Sequence, residues 1–79
     1  MKKVTLYTRA GCHLCEQAKR VLAEARGRAA FDYEEFDIDA DAELRRLYND
    51  EVPVIAIDGH KAFQYGVDMS ELLKRLGRR

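Results

Sequence analysis

A short apolar strand that runs straight into an amphipathic helix, and then into a second strand, limits this chain more than any other feature. Val4-Thr5-Leu6-Tyr7 reads as the strand and Thr8 to Gly11 as the connection. From Cys12 the pattern turns helical. Leu14, Ala18, Val21, Leu22 and Ala25 recur at i, i+4, i+7, i+8 and i+11, which is one face. Glu16 faces Arg20 on the exposed side, and Gly27 ends the helix. Phe31 to Ile38 is the second strand, with Phe36 and Ile38 on one face and Glu35 and Asp37 on the other. A helix crossing between two such strands lays them parallel, through a right-handed connection. The alternation and the acids of the second strand suit a sheet edge, where charge discourages unwanted pairing.

The second half reads as β and then α. Asp39 or Asp41 can cap a short helix with Leu44, Leu47 and Tyr48 as its inner stripe, stopped by Asn49-Asp50. Val52 to Ile57 is a nearly continuous apolar run and therefore a central strand. Asp58-Gly59 signals a two-residue hairpin, and His60 to Gln64 returns antiparallel. After the turn Tyr65-Gly66-Val67, Asp68 and Glu71 start a last helix in which Met69, Leu72, Leu73 and Leu76 share a face. Gly77 ends it and two arginines trail off. The order β-α-β-α-β-β-α predicts an α/β fold: one domain over residues 1–79, a four-stranded mixed sheet with helices on both faces.

Composition narrows the function classes. At 79 residues the chain buries only about 60–65% of its unfolded surface, so its stability is modest. Formal net charge is zero but unevenly placed. Residues 1–30 carry seven Lys/Arg against two Glu, residues 31–58 ten acids against two Arg, and residues 59–79 five bases against two acids. The uneven charge is either three solvated faces or a basic rim that steers anionic substrates toward the cysteines. A nucleic-acid footprint needs a strongly basic domain, so no nucleic-acid partner is expected. Lys2-Lys3 lacks the apolar stretch of a secretory signal behind it. No window reaches the ~18 apolar residues of a membrane helix, so no membrane partner is expected. A cytoplasmic, monomeric protein is the expectation.

Cys12 and Cys15 are the only cysteines. Three apart, they close too small a loop to restrain the unfolded chain, so a disulfide between them would be chemical rather than architectural. In a reducing compartment such a pair is catalytic or metal-binding more often than structural. A structural zinc site needs four ligands, more than this chain readily offers, unless two chains share one. No metal site is therefore assigned. Cys12 lies at the very start of the helix, where free backbone N–H groups and the helix dipole favour a thiolate. Cys15, almost one turn further in, is expected to be shielded. Cys12 would attack a substrate disulfide and Cys15 would resolve the mixed disulfide. Arg9 is either a cation for substrate or thiolate, or an ordinary exposed arginine. His13 either exchanges a hydrogen bond with the thiolates or faces solvent. Pro53, the only proline, at the least opens a strand. Asp68 is first a helix cap.

The element order, the Cys-x-x-Cys pair after the first strand and Val52-Pro53 before the third resemble the thioredoxin superfamily. The short length and the Tyr7-Thr8-Arg9 lead-in to Cys12 make the chain similar to a glutaredoxin or glutaredoxin-like protein over essentially its whole length. The resemblance implies a cis Val52-Pro53 bond facing the dithiol, with the Val52 backbone open to an extended substrate. It also implies that Gly66-Val67-Asp68 keeps part of a segment that binds the γ-glutamyl end of glutathione. Other positions depart from the glutaredoxin pattern. His13 stands where Pro is usual and Leu14 where Tyr or Phe is frequent. Glu51 replaces a common Thr before Val52-Pro53, and Tyr65 replaces a Gly. A carboxylate at Glu51 would repel glutathione's own carboxylates.

The expected function is a small thiol–disulfide oxidoreductase acting on protein disulfides or glutathione mixed disulfides. It would carry no bound cofactor. Glutathione would serve as reductant or cosubstrate, or a flavoprotein disulfide reductase would supply the electrons, and Glu51 leans toward the latter. The alternative is a non-enzymatic redox-sensing or metal-handling module on the same fold.

Overall fold

The computed structural model describes residues 1–77. The trailing Arg78 and Arg79 lie outside the described residues. The elements run β1 (Lys3–Thr8), α1 (His13–Arg26), β2 (Asp32–Asp37), a 3₁₀ turn (Ile38–Ala40), α2 (Ala42–Tyr48), β3 (Val54–Ile57), β4 (His60–Gln64) and α3 (Met69–Arg75). The strands form one mixed sheet in the order β2-β1-β3-β4. β1 and β2 are parallel, as the α1 crossover requires. β3 is antiparallel to both β1 and β4. β2 is an edge and β3 is internal, which matches the acid-rich pattern of one and the apolar run of the other.

One face of the sheet carries the core. Val4 and Leu6 of β1 and Ile55 of β3 pack against Ala18, Leu22 and Ala25 of α1, with Leu72 of α3 and Phe31 closing the cluster. The buried stripe of α1 is Cys15, Ala18, Leu22 and Ala25. Leu14, expected on that stripe, is 45% exposed. The reason is rotational. Cys15 heads the i, i+3, i+7, i+10 line that meets β1, and its neighbour is turned out by about 100°. Glu16 pairs with Lys19 at 3.4 Å rather than with Arg20.

The opposite face is thinly covered. Tyr7 of β1 stacks on Tyr48 of α2 at 4.7 Å and on Phe36 of β2 at 5.9 Å between ring centroids. α2 buries no residue completely. Leu47, expected in its inner stripe, is 48% exposed, and Phe36 is 42% exposed. Ile38 is fully buried, but in the 3₁₀ turn rather than in β2. The strand stops there because Asp37 turns its carboxylate onto the Asp39 N–H at 2.9 Å, a local bond that competes with the ladder. Asp41 then caps α2, accepting from the Glu43 and Leu44 N–H groups at 2.9 and 3.2 Å.

The β3–β4 hairpin turns at Asp58 and Gly59, both with positive φ (51° and 84°). That conformation is the one Asp-Gly favours in two-residue hairpins. Asp58 also binds Lys3, the first residue of β1, twice. Its N–H donates to the Lys3 carbonyl at 2.8 Å, and its carboxylate accepts from the Lys3 N–H at 2.9 Å. That backbone bond and the neighbouring Lys2 hold the Asp58 carboxyl below the usual carboxylate range. No described helix is long and apolar enough to cross a membrane.

Two leucines about two turns apart on α1 should therefore behave oppositely. Leu22→Ala opens a cavity in the core and is expected to cost about 2–4 kcal/mol, a large share of the roughly 4–12 kcal/mol available to a domain this size. Leu14→Ala should stay within about 0.5 kcal/mol of the parent. Urea unfolding of the two variants measures both, and equal losses would contradict the observed rotation of α1.

Candidate active site

The four residues between β1 and α1 bring the cysteines to the carboxyl end of the sheet's first strand. Cys12 is the N-cap of α1, with extended backbone (φ −102°, ψ 110°). Its Sγ accepts a hydrogen bond from the Cys15 N–H at 3.1 Å, and its carbonyl receives the Glu16 N–H at 3.1 Å. A sulfur thus occupies the place where Ser, Thr, Asp or Asn usually cap a helix. The same N–H and the positive end of the helix dipole favour negative charge on that sulfur once it is reduced.

The two cysteines differ in access. Cys12 is half-buried, whereas Cys15 is 0% exposed at the head of the buried stripe. Their Cα atoms are 5.2 Å apart and the sulfurs lie at bonding distance, within the range a disulfide spans without backbone movement. The pair can therefore hold two electrons as a dithiol or release them as a disulfide, with one sulfur reachable from outside.

The other expected site residues fall around this end with different roles. His13 is the exposed first residue of α1, and its side chain makes no hydrogen bond among the described residues. Val52 is half-buried, and its backbone N–H and C=O have no partner among the described residues. The Val52-Pro53 peptide bond is cis and Pro53 is buried. The Pro53 carbonyl accepts from the Tyr65 N–H at 2.8 Å. That bond ties the loop before β3 to the turn after β4, so Val52-Pro53 and Gly66 belong to one corner. Gly66 and Val67 face Gln17, Ala18 and Val21 of α1 across a small cavity of about 160 Å³. Asp68 caps α3, accepting from the Glu71 N–H at 2.9 Å.

Arg9 matches neither of its two expected readings, a cation for substrate or thiolate or an ordinary exposed arginine. Its guanidinium donates to both carboxylate oxygens of Asp39 at 3.1 and 2.7 Å. It also donates to the Asn49 carbonyl and side-chain oxygens at 2.9 and 3.0 Å. It is a clamp joining the end of β1 to the 3₁₀ turn and the end of α2, not a free cation beside the sulfur. The hydrogen bond from Arg9 holds the Asp39 carboxyl below the usual carboxylate range. Glu51 is likewise engaged, with Lys61 at 2.6 Å, so its carboxylate is not presented as an isolated charge next to Val52.

Two features of this corner were missed from sequence. Tyr65 takes a positive φ of 71° and is half exposed. No side-chain pattern announces that conformation, because it follows from the turn between β4 and α3. Thr8, read as the first residue of a connection, is the last residue of β1 and is buried. Extending the Val4, Leu6 alternation by one step would have placed it facing inward.

Comparison with known proteins agrees with this geometry. The family model described as Glutaredoxin-like domain (DUF836) matches residues 3–77. The chain belongs to the glutaredoxin-like domain family. An uncharacterized protein of Mycobacterium tuberculosis is 33% identical over 81 residues, covering 96% of this chain and 84% of the relative. An X-ray structure of a structural-genomics target protein from X. campestris is 36% identical, with a TM-score of 0.76, over 94% of this chain and 95% of that one. At the level of fold alone, thioredoxin O2 of Arabidopsis thaliana in its oxidized state superposes with a TM-score of 0.68 at 23% identity, over 98% of this chain and 73% of that one. The glutaredoxin-like chain thus has the thioredoxin-type α/β fold and, with its Cys12–Cys15 pair, is a redox-type module.

The Arg9–Asp39 clamp gives the glutaredoxin-like domain a defined acid response. A carboxyl whose pKa is lowered by folding stabilises the fold above its unfolded value, near pH ~4. That stability is lost as pH falls through the folded value. Asp39→Asn is expected to lower the urea midpoint at pH 7 and to flatten its decline between about pH 5 and pH 2. Parallel pH profiles for the variant and the parent would contradict the clamp.

Proposed function

We propose that this protein is a small thiol–disulfide oxidoreductase that reduces protein disulfides or glutathione mixed disulfides with Cys12 and Cys15. The observation that carries the reading is the pairing of unequal sulfurs: Cys12 reachable at the helix cap, and Cys15 buried within bonding distance of it.

The chemistry follows from that inequality. The Cys12 thiolate attacks one sulfur of the substrate disulfide, forming a mixed disulfide and expelling the first substrate thiolate. Cys15, deprotonated, then attacks the Cys12 sulfur, forming the Cys12–Cys15 disulfide and expelling the second thiolate. Two electrons pass to the substrate, and both leaving thiolates take protons from solvent. Two glutathione molecules, or a flavoprotein disulfide reductase, return the two electrons and restore the dithiol. No bound cofactor is needed.

An extended substrate segment would pair with the open backbone of Val52, beside Pro53, as one strand pairs with another. His13, at the mouth of the pair, would contact the incoming disulfide. Gly66 and Asp68 would meet glutathione where it is the substrate. Because Lys61 neutralises Glu51, repulsion of glutathione is weaker than the bare sequence suggests, and both electron sources stay in play. The protein is assigned to the cytoplasm as a monomer.

The test is turnover of a model disulfide with glutathione and its reductase, run beside turnover with a thioredoxin reductase. Whichever donor supports reduction names the electron source, and failure with both would point to a sensing or metal-handling module instead. Cys12→Ser should lower the rate by at least about a hundredfold. Cys15→Ser should retain attack and accumulate the mixed disulfide on Cys12, which intact mass spectrometry detects. An inactive Cys15→Ser beside an active Cys12→Ser would reverse the two roles.

A further inference from the structure

Five uncharged residues line the cavity of about 160 Å³ beside α1: Gln17, Ala18 and Val21 of the helix, and Gly66 and Val67 of the turn before α3. The cavity between α1 and β2, by contrast, has Lys19, Arg26 and Glu35 in its lining. Ala18 is buried, Val21, Gly66 and Val67 are half-buried, and Gln17 is exposed. A Cβ at Gly66 would meet no atom within 4 Å, so the space beside the turn is open. An apolar cavity of about 150 Å³ accepts a benzene ring, and this one therefore has room for a leucine side chain. Two chain paths join it to the reacting groups. Along α1, Leu14, Gln17, Ala18 and Val21 fall at i, i+3, i+4 and i+7 and share one face. Leu14, 45% exposed, continues that face one turn toward the helix start, where Cys12 is the N-cap. From Cys12 to Ala18 is about 9 Å along the axis, the reach of about three extended residues. Through the turn, the Tyr65 N–H bonds the Pro53 carbonyl at 2.8 Å, and Val52 and Gly66 are the adjoining residues. Bond geometry then keeps the Cα atoms of Val52 and Gly66 within about 13 Å of each other.

We infer that this cavity is a substrate pocket for one aliphatic side chain, about three residues from the cysteine that Cys12 attacks, and that it favours polypeptide disulfides over glutathione. This rests on the proposed function and deepens it by naming the substrate class. An extended segment joined to Cys12 and running along the Leu14 face carries a side chain to the cavity mouth. Ala18, Val21 and Val67 then take that side chain out of water, which is worth about tenfold in affinity. A charged side chain gains nothing there, because none of the five lining residues carries a charge to pair with it. Glutathione has only a γ-glutamyl group and a glycine beside its cysteine, and so has no apolar side chain to place in the cavity. Val21 sets the depth of the pocket, since a larger residue there fills it and a smaller one extends it.

The experiment is an exchange equilibrium in the full chain carrying Cys15→Ser, which needs no turnover. Cys12 starts as its mixed disulfide with glutathione. A peptide thiolate attacks the Cys12 sulfur, the Cys12–peptide disulfide forms, and glutathione leaves as a thiolate that takes a proton from solvent. Intact mass spectrometry gives the ratio of the two mixed disulfides. The peptides are serine–glycine sequences with one cysteine and a single leucine, moved through the four positions on either side of it. A leucine about three residues from the cysteine is expected to favour the peptide disulfide about tenfold over the leucine-free peptide. Val21→Phe, which fills the cavity, should cut that preference to within about twofold of none. Val21→Ala, which enlarges it, should move the preference from leucine to phenylalanine, and it carries the test if the phenylalanine variant does not fold. No leucine preference at any position, or a preference that the folded Val21 variants leave unmoved, would overturn the inference. A leucine preference in a protein that reduces no disulfide would sink the proposed function alone, and an active reductase without the preference would sink only the role of the cavity.

Discussion

α1 meets the sheet through Cys15, Ala18, Leu22 and Ala25, three small side chains and one leucine. The alanines let the helix come close to β1, and Leu22 fills the space among Val4, Leu6 and Ile55. Rotating the helix by one residue, about 100°, would lift Leu22 out of the core and turn Glu16, Lys19 and Arg26, or Gln17 and Glu24, toward the sheet. The apolar packing in the middle of α1 therefore fixes the rotation of its first turn, several residues away. With the rotation fixed, Cys15 is buried and Cys12 is left on the cap. The inequality between the two sulfurs is a consequence of where Leu22 sits.

The corner around the sulfurs is held by main-chain bonds rather than by side-chain charges. Cys12 is tied to the helix through the Cys15 and Glu16 N–H groups, and Pro53 is tied to Tyr65. The charged residues nearby are engaged elsewhere, Arg9 with Asp39 and Asn49 and Glu51 with Lys61. The electrostatics at the Cys12 sulfur thus rest mainly on the helix end. The departures at His13, Leu14 and Glu51 leave that helix end unchanged.

Much of this was legible in the sequence, because strong local signals agreed with the global fold. The Asp58-Gly59 turn, the apolar run of β3, the crossover after β1 and the Cys-x-x-Cys position each point to one topology. The failures lie where tertiary context decides. Leu14 fits a helical stripe as well as Cys15 does, and only contact with β1 separates them. Leu47 and Phe36 look like core residues, but α2 is too short and too shallow to cover them. Arg9 reads as a free cation or an ordinary exposed arginine until the chain returns with Asp39 and Asn49, thirty and forty residues later. Thr8 looks like loop because it is polar and adjoins a glycine-containing connection.

The sheet's two faces differ in how firmly they are held. The α1–α3 side is a packed layer of aliphatic side chains, while α2 hangs on a tyrosine stack and a single guanidinium. Fluctuations that break both would peel α2 and the 3₁₀ turn away without disturbing the layer beneath the cysteines. The molecule thus has a soft flank and a hard one, and its amides would exchange with deuterium first on the soft side. Openings that register as partial unfolding on the soft flank would leave the corner holding Cys12 and Cys15 in place.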